Sequence, residues 1–143
     1  RLLTIFRGSA QESPQQDKVA ASERIARYIL SKGHFSASNC SVKYGAYLPA
    51  PNGETSVYRT SALPEEEIWK IGKRYVAEPM GRTLYARGDT PVSVIMKTVL
   101  EVVPEITPHP LHANIVKWPS GKDKRKMLAV EIANEATLAI YPG

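Results

Sequence analysis

The sequence is poor in cysteine, with Cys40 the single thiol in 143 residues. One thiol cannot form an intrachain disulfide, and it cannot supply the several cysteines of a Cys-based zinc site. A fold held together by a disulfide framework is therefore excluded. The lack of such a framework favours a reducing compartment, so we expect a cytoplasmic protein.

Long hydrophobic runs are also missing. No stretch approaches the roughly 18 consecutive apolar residues that a membrane-spanning helix needs. The apolar patch between Arg1 and Arg7 is shorter than the core of a signal peptide, which has about seven apolar residues or more. We therefore expect neither a membrane-spanning helix nor a membrane partner.

What the sequence does contain is the composition of a globular domain. Hydrophobic residues make up 43% of the chain and charged residues 23%, both close to the average for folded proteins. The length is typical of one domain. Residues 8–17 are polar and include Gly8 and Pro14, which favours an irregular segment. We predict a flexible N-terminal arm at residues 1–17 and a single domain at residues 18–143.

Hydrophobic periodicity predicts helices that alternate with short strands. The predicted helices cover residues 18–32, 64–77 and 90–98, and a last helix begins at Ser120. The predicted strands form a hairpin over residues 41–60 and shorter pieces over 83–87, 99–103, 111–118 and 137–141. A hairpin favours an α+β fold over a doubly wound parallel sheet. We predict a single α+β domain with a mixed or antiparallel sheet of about four or five strands and about three or four helices.

Positive charge is concentrated near the predicted start of the last helix. The formal net charge is +5, which favours an anionic partner. The cations of this basic segment are Lys117, Lys122, Lys124, Arg125 and Lys126. A helix N-terminus exposes unpaired N–H groups that bind anions, and Ser120 and Gly121 would leave the backbone there accessible. The first hypothesis is therefore binding of a polyanion such as nucleic acid; the alternative interpretation of the same residues is a solvated basic helix face.

A second hypothesis starts from polar residues that interrupt apolar segments. Arg59 shares a predicted strand face with Thr55 and Val57, so its donors need a carboxylate, a carbonyl or a ligand unless the strand lies at a wet sheet edge. A pocket lined by Arg59, His112, Asn114 and Trp118 would give His112 an acid–base role and Arg59 the role of an anion clamp. This hypothesis describes a small enzyme or a ligand-binding protein.

Two histidines lie three positions apart, at His109 and His112. Such spacing can place two metal ligands on one helix face, but Pro108 and Pro110 disfavour a helix at this point. No other ligand pattern is present. We therefore predict no metal site and no cofactor.

A third hypothesis is an interaction protein, either a homo-oligomer or a component of a toxin–antitoxin-like pair. The apolar residues Leu2, Leu3, Ile5 and Phe6 suit it, because an apolar arm can add a strand to a neighbouring sheet.

Two parts of the chain resemble a known protein family. One part is SVYRT at residues 56–60 followed by IWKIG at 68–72, and the other is HANIVKWP at 112–119. Over residues 22–140, the chain resembles a family of small conserved bacterial proteins without an assigned activity. The resemblance implies a bacterial, cytoplasmic protein of a kind often carried on mobile gene cassettes, and it implies no role for any residue.

Overall fold

The computed structural model describes residues 17–143. Its strands are β1 (Arg24–Ile29), β2 (Phe35–Ser36), β3 (Ser41–Val42), β4 (Thr55–Arg59), β5 (Ala86–Pro91), β6 (Glu101–Pro104), β7 (His112–Val116) and β8 (Thr137–Ile140). Its α-helices are α1 (Glu65–Ile71), α2 (Val92–Met96) and α3 (Lys122–Asn134). Helix α1 continues as a π-helical segment, Gly72–Ala77, and a 3-10 turn, Glu78–Met80; further 3-10 turns cover Lys32–His34 and Tyr44–Ala46.

Six strands form one sheet in the order β6-β7-β4-β1-β5-β8, and β2 pairs separately with β3. Every neighbouring pair is antiparallel. The predicted α+β class is confirmed, with six strands in the main sheet where about four or five were expected. No helix among residues 17–143 is long and apolar enough to cross a bilayer. Apart from residue 17, the predicted N-terminal arm lies outside the described residues.

The helix predicted over residues 18–32 is wrong, because β1 occupies this segment at the centre of the sheet. Ile25, Tyr28 and Ile29 have a spacing that fits one stripe of a helix. However, Ala26 is buried as well. A central strand that is covered on both faces shows a nearly continuous apolar run instead of alternation, and a run of that kind imitates a helical stripe over a short window.

The hairpin predicted over residues 41–60 is also wrong, although its second strand is confirmed. Strand β4 pairs with β1 and β7 and not with the residues before it. The preceding segment forms only the short strand β3 and the 3-10 turn at Tyr44–Ala46. Tyr47 at the end of this turn is fully buried, and its carbonyl accepts a hydrogen bond from Thr55 Oγ1. Burial of this ring bends the chain into the core instead of extending it along β4.

Three of the predicted helices are confirmed in position, and α2 lies inside the helix predicted over residues 90–98. Helix α1 follows Pro64 and has three glutamates in its first turn, where the helix dipole favours negative charge. Helix α3 begins at Lys122, two residues after the predicted start at Ser120, and no side chain caps it. Most of the short strand predicted at residues 83–87 is shifted, since β5 runs from Ala86 to Pro91.

The sheet has a core on each face. One face packs against α2, α3 and the turn at Tyr44–Ala46, with Ile25, Val57 and Ile115 contributed by the sheet. The other face packs against α1 and the segment that follows it, with Ala26, Tyr28 and Tyr58 contributed by the sheet. Because α1 is short, it covers only part of this second face.

Candidate functional site

A cavity of about 690 Å³ opens on the face of the sheet that α1 leaves partly uncovered. Strands β1, β4 and β7 form its floor, and the π-helical segment after α1 forms one wall. Its most informative polar lining residues are Arg27, Ser56, His112 and Asn114. We call this cavity the sheet pocket.

The sheet pocket exists because β1 and β4 separate. They pair at Ile25↔Arg59 and Ala26↔Tyr58, and the register then stops while β1 continues against β5 as far as Ile29. Continued pairing would set Arg27 opposite Val57. Instead, the opening exposes backbone carbonyls that a sheet would normally satisfy, and side chains from both strands and from the loop after β3 line it.

Ser56 and His112 form the closest polar contact in the sheet pocket. Ser56 Oγ lies 2.7 Å from His112 Nε2. On the far side of the ring, Nδ1 lies 2.8 Å from the Glu105 carbonyl oxygen. A carbonyl oxygen can only accept, so Nδ1 carries hydrogen, and in the neutral ring Nε2 is then the acceptor for the Ser56 hydroxyl. This is the arrangement in which a histidine removes a proton from a serine nucleophile.

The strand register explains how these two residues meet. Ser56 in β4 is opposite Asn114 in β7, and Tyr58 is opposite His112. His112 is therefore the diagonal neighbour of Ser56, at a backbone separation of about 7–8 Å that a long side chain can span. The His112 ring also packs against the Tyr58 ring, with centroids 5.1 Å apart, and only 7% of the residue is exposed.

Asn114 is buried without a hydrogen-bond partner for its side chain among residues 17–143. Only 5% of the residue is exposed, and it lines the sheet pocket. Buried polar side chains are nearly always hydrogen-bonded. Ser56 and Asn114 are opposed residues of an antiparallel pair, and such residues have Cβ atoms about 4.5–5.5 Å apart, so the two side chains start next to each other on the same sheet face.

Arg27 supplies positive charge at the opening. Its Nη1 donates to the Ser56 carbonyl at 2.9 Å and its Nε to the Ala46 carbonyl at 2.6 Å. No carboxylate of residues 17–143 forms an ion pair with it. Burial lowers the pKa of this guanidinium, although an arginine side chain stays protonated in proteins.

Two further basic groups lie at the same end of the sheet pocket, His34 and Arg82. Burial lowers the pKa of His34, and the positive charges of Arg27 and Arg82 lower it further. Arg82 Nη2 donates to the Leu30 carbonyl at 2.8 Å. The carboxylate-bearing residues of the lining are Glu54 and Glu105.

The tyrosines Tyr58 and Tyr75 also line the sheet pocket, and His109 packs against both. His109 lies edge-on to Tyr75, with centroids 4.7 Å apart, and near Tyr58 at 6.0 Å. Burial raises the pKa of Tyr58 to about 12, so its hydroxyl stays neutral. Burial and the nearby His112 lower the pKa of His109. Among residues 17–143, no group of three or more His, Cys, Asp or Glu residues could hold a metal ion.

Of the residues proposed from sequence for a pocket, the structure brings His112 and Asn114 together but not Arg59 or Trp118. Arg59 lies on the opposite sheet face and is only 8% exposed. Its Nε and Nη2 each donate to Glu23 at 2.8 Å, and its Nη1 donates to the Asp17 carbonyl at 2.9 Å. Trp118 packs against the other core and donates from Nε1 to the Ile115 carbonyl at 3.1 Å.

The residues of the basic segment are dispersed among local contacts. Lys117 pairs with Glu101 at 2.6 Å, and Lys126 lies 5.0 Å from the Tyr44 ring centre. Arg125 Nη1 donates to the carbonyls of Pro119 and Ser120. Lys122 and Lys124 lie in the exposed first turn of α3. None of these residues lines the sheet pocket.

Sequence reasoning did not identify Ser56, Arg27 or His34 as site residues. A sequence signal for Ser56 was present, because this polar residue precedes the apolar Val57 on a confirmed strand. His112 and Asn114 alternate in the same way with apolar residues on β7. Arg27 had none, because it lay inside a segment predicted to be helical.

No family model, no curated protein and no solved structure matches this chain.

Proposed function

We propose that this protein is a small hydrolase that uses Ser56 as its nucleophile and His112 as its general base. The observation that supports this most directly is the 2.7 Å contact between Ser56 Oγ and His112 Nε2. The hydrogen bond from Nδ1 to Glu105 holds the ring in the tautomer that the reaction needs.

The reaction that suits these groups is acyl transfer from an ester to water. Ser56 Oγ attacks the carbonyl carbon of the ester while its proton moves to His112 Nε2. His112 then gives this proton to the departing alkoxide, leaving an acyl group on Ser56. Water enters, His112 removes one of its protons, and the resulting hydroxide displaces the acyl group as a carboxylic acid. Ser56 recovers its proton from His112.

We assign to Asn114 the stabilisation of the negative oxygen of the tetrahedral intermediate. Asn114 is the residue opposite Ser56 in the sheet, and its side chain has no hydrogen-bond partner among residues 17–143. Donors aimed at such an oxygen accelerate acyl transfer by about 10²–10³-fold. The group behind His112 is a carbonyl and not a carboxylate, so it stabilises the imidazolium less than a buried aspartate would. We therefore expect slow turnover.

Labelling with a fluorophosphonate probe tests the nucleophile, and hydrolysis of p-nitrophenyl acetate tests turnover. We expect the parent to be labelled at Ser56 and to hydrolyse the ester. Ser56→Ala should abolish labelling and reduce turnover by about 10³-fold or more, and Asn114→Ala should reduce turnover by about 10²-fold.

Ser93→Ala is the matched control, because Ser93 is half-buried like Ser56 and lies outside the sheet pocket. It should be labelled and active like the parent. If the folded parent is not labelled and hydrolyses the ester no faster than Ser56→Ala, Ser56 and His112 form a structural hydrogen bond and the proposal is wrong.

A further inference from the structure

We infer that the Arg27 end of the sheet pocket binds an oxyanion, a phosphate or carboxylate group, carried by the ligand. The inference rests on the proposed function only in calling that ligand a substrate. It then predicts an anionic ester whose charged group lies at Arg27 and whose scissile bond lies at Ser56.

The first argument is the incomplete pairing of Arg27. A guanidinium has five N–H donors, and among residues 17–143 two of them are used, one for the Ser56 carbonyl and one for the Ala46 carbonyl. Both acceptors are neutral carbonyls, and Arg27 is half-buried. Buried charges in proteins are normally paired with an opposite charge. Arg59, by comparison, is paired with the carboxylate of Glu23.

The second argument is that the charges at this end have one sign. His34 and Arg82 line the same end, and His34 is close enough to both arginines for their charges to act on it. An added Cβ at Gly45 would lie 3.0 Å from the His34 ring, so the ring packs closely on this backbone. Of the lining carboxylates, Glu54 is bonded to the Asn52 amide at 3.3 Å, and Glu105 is exposed.

The third argument is the position of Arg27 relative to the reacting groups. Its Nη1 lies 2.9 Å from the Ser56 carbonyl oxygen. The guanidinium therefore contacts the backbone of the same residue whose hydroxyl is the proposed nucleophile. A planar guanidinium binds carboxylate and phosphate oxygens in pairs. An oxyanion held there would place a neighbouring ester near Ser56, with the Asn114 amide available on the adjacent strand.

The test is an NMR titration of the His34 ring with inorganic phosphate and, separately, with acetate. Sodium chloride holds the ionic strength constant, so that general screening does not contribute to the shift. We expect saturable shifts below about 20 mM anion, which corresponds to millimolar dissociation constants. Ser56→Ala should bind both anions like the parent, so failure of catalysis and failure of anion binding give different results.

The variants separate pairing from general charge. Arg27→Gln should weaken anion binding at least 10-fold. Arg27→Lys keeps the positive charge but loses the planar guanidinium that binds two oxygens at once, and Arg82→Gln changes an exposed residue. Both of these variants should fold, and both should weaken anion binding several-fold. Lys97→Gln, exposed and outside the sheet pocket, should bind like the parent. The inference is overturned if the parent shows no saturable shift with either anion, or if Arg27→Lys and Arg82→Gln both bind as the parent does.

Discussion

At position 72 the packing leaves no room for a side chain. A Cβ added to Gly72 would lie 2.4 Å from Cδ1 of the Tyr28 ring. The ring cannot easily withdraw, because it is buried and its hydroxyl donates to the Ile68 carbonyl. This close approach is where α1 and its continuation meet the centre of the sheet.

We expect Gly72→Ala to lower the free energy of unfolding by about 1–3 kcal/mol, the range for overpacking a core. Urea unfolding followed by circular dichroism measures it. Gly33→Ala is the control, because the nearest atom to its added Cβ is Ser31 Oγ at 3.7 Å, an ordinary contact. Equal midpoints for Gly72→Ala and the parent would show that Tyr28 can move away.

Two arginines, Arg59 and Arg27, show how neighbouring strands determine whether an arginine is paired with a carboxylate. The strand pattern around Arg59 indicates a side chain that needs a partner, and Glu23 supplies one. Arg27 lies on β1, and its two described acceptors are carbonyls of the chain. The difference follows from the strands: Arg59 lies where β1 and β4 are paired, and Arg27 lies where they separate.

At the scale of elements, the Glu23–Arg59 pair ties the residue before β1 to the end of β4. The hydrogen bonds from Arg59 hold the pKa of Glu23 below its usual value, against the effect of burial. A carboxylate with a lowered pKa in the folded state stabilises the fold above its unfolded pKa, which is about 4.3. That stability is lost as the pH falls through the lowered folded value.

We expect Glu23→Gln to be less stable than the parent by about 1.5–3 kcal/mol at pH 7, the range for hydrogen bonds to charged groups. Toward about pH 3 the difference should shrink, because the parent carboxylate becomes protonated. Urea unfolding at both pH values gives the comparison. Glu131→Gln, at an exposed position of α3, should match the parent throughout. A difference for Glu23→Gln that stays constant with pH would exclude the ion pair as its source.

At the scale of the whole molecule, the net charge of +5 still motivates the hypothesis of nucleic-acid binding. It stays a prediction, as do self-association through residues 2–6 and the resemblance to a bacterial family. Within the basic segment, Lys117, Arg125 and Lys126 have local partners. The test therefore centres on Lys122 and Lys124.

If the basic segment binds nucleic acid, fluorescence anisotropy should show binding that weakens steeply between about 50 and 200 mM salt, because counterions are released. The double variant Lys122→Gln/Lys124→Gln should bind more weakly to every sequence at low salt. A variant with the same change in charge elsewhere, Lys70→Gln/Lys97→Gln, controls for net charge. Absence of binding by the parent at 50 mM salt would end the hypothesis.

Local pattern was enough for the α+β class, α1, α3, β4 and β7. Their signal is hydrophobic periodicity, and in each case it is contained within a few neighbouring residues. Polar residues that interrupt an apolar segment made His112 and Asn114 pocket candidates. The exclusion of a fold held together by disulfides also followed from the sequence alone, because the chain has one cysteine.

Tertiary structure decided the identity of β1, the order of the strands and the sheet pocket itself. Ser56 and His112 are 56 positions apart, and only the register of β4 on β7 brings them into contact. The separation of β1 from β4 that exposes Arg27 leaves no local signal, because it depends on which strands flank β1. Periodicity describes one element at a time, whereas the site is formed by residues that several elements bring to one pocket.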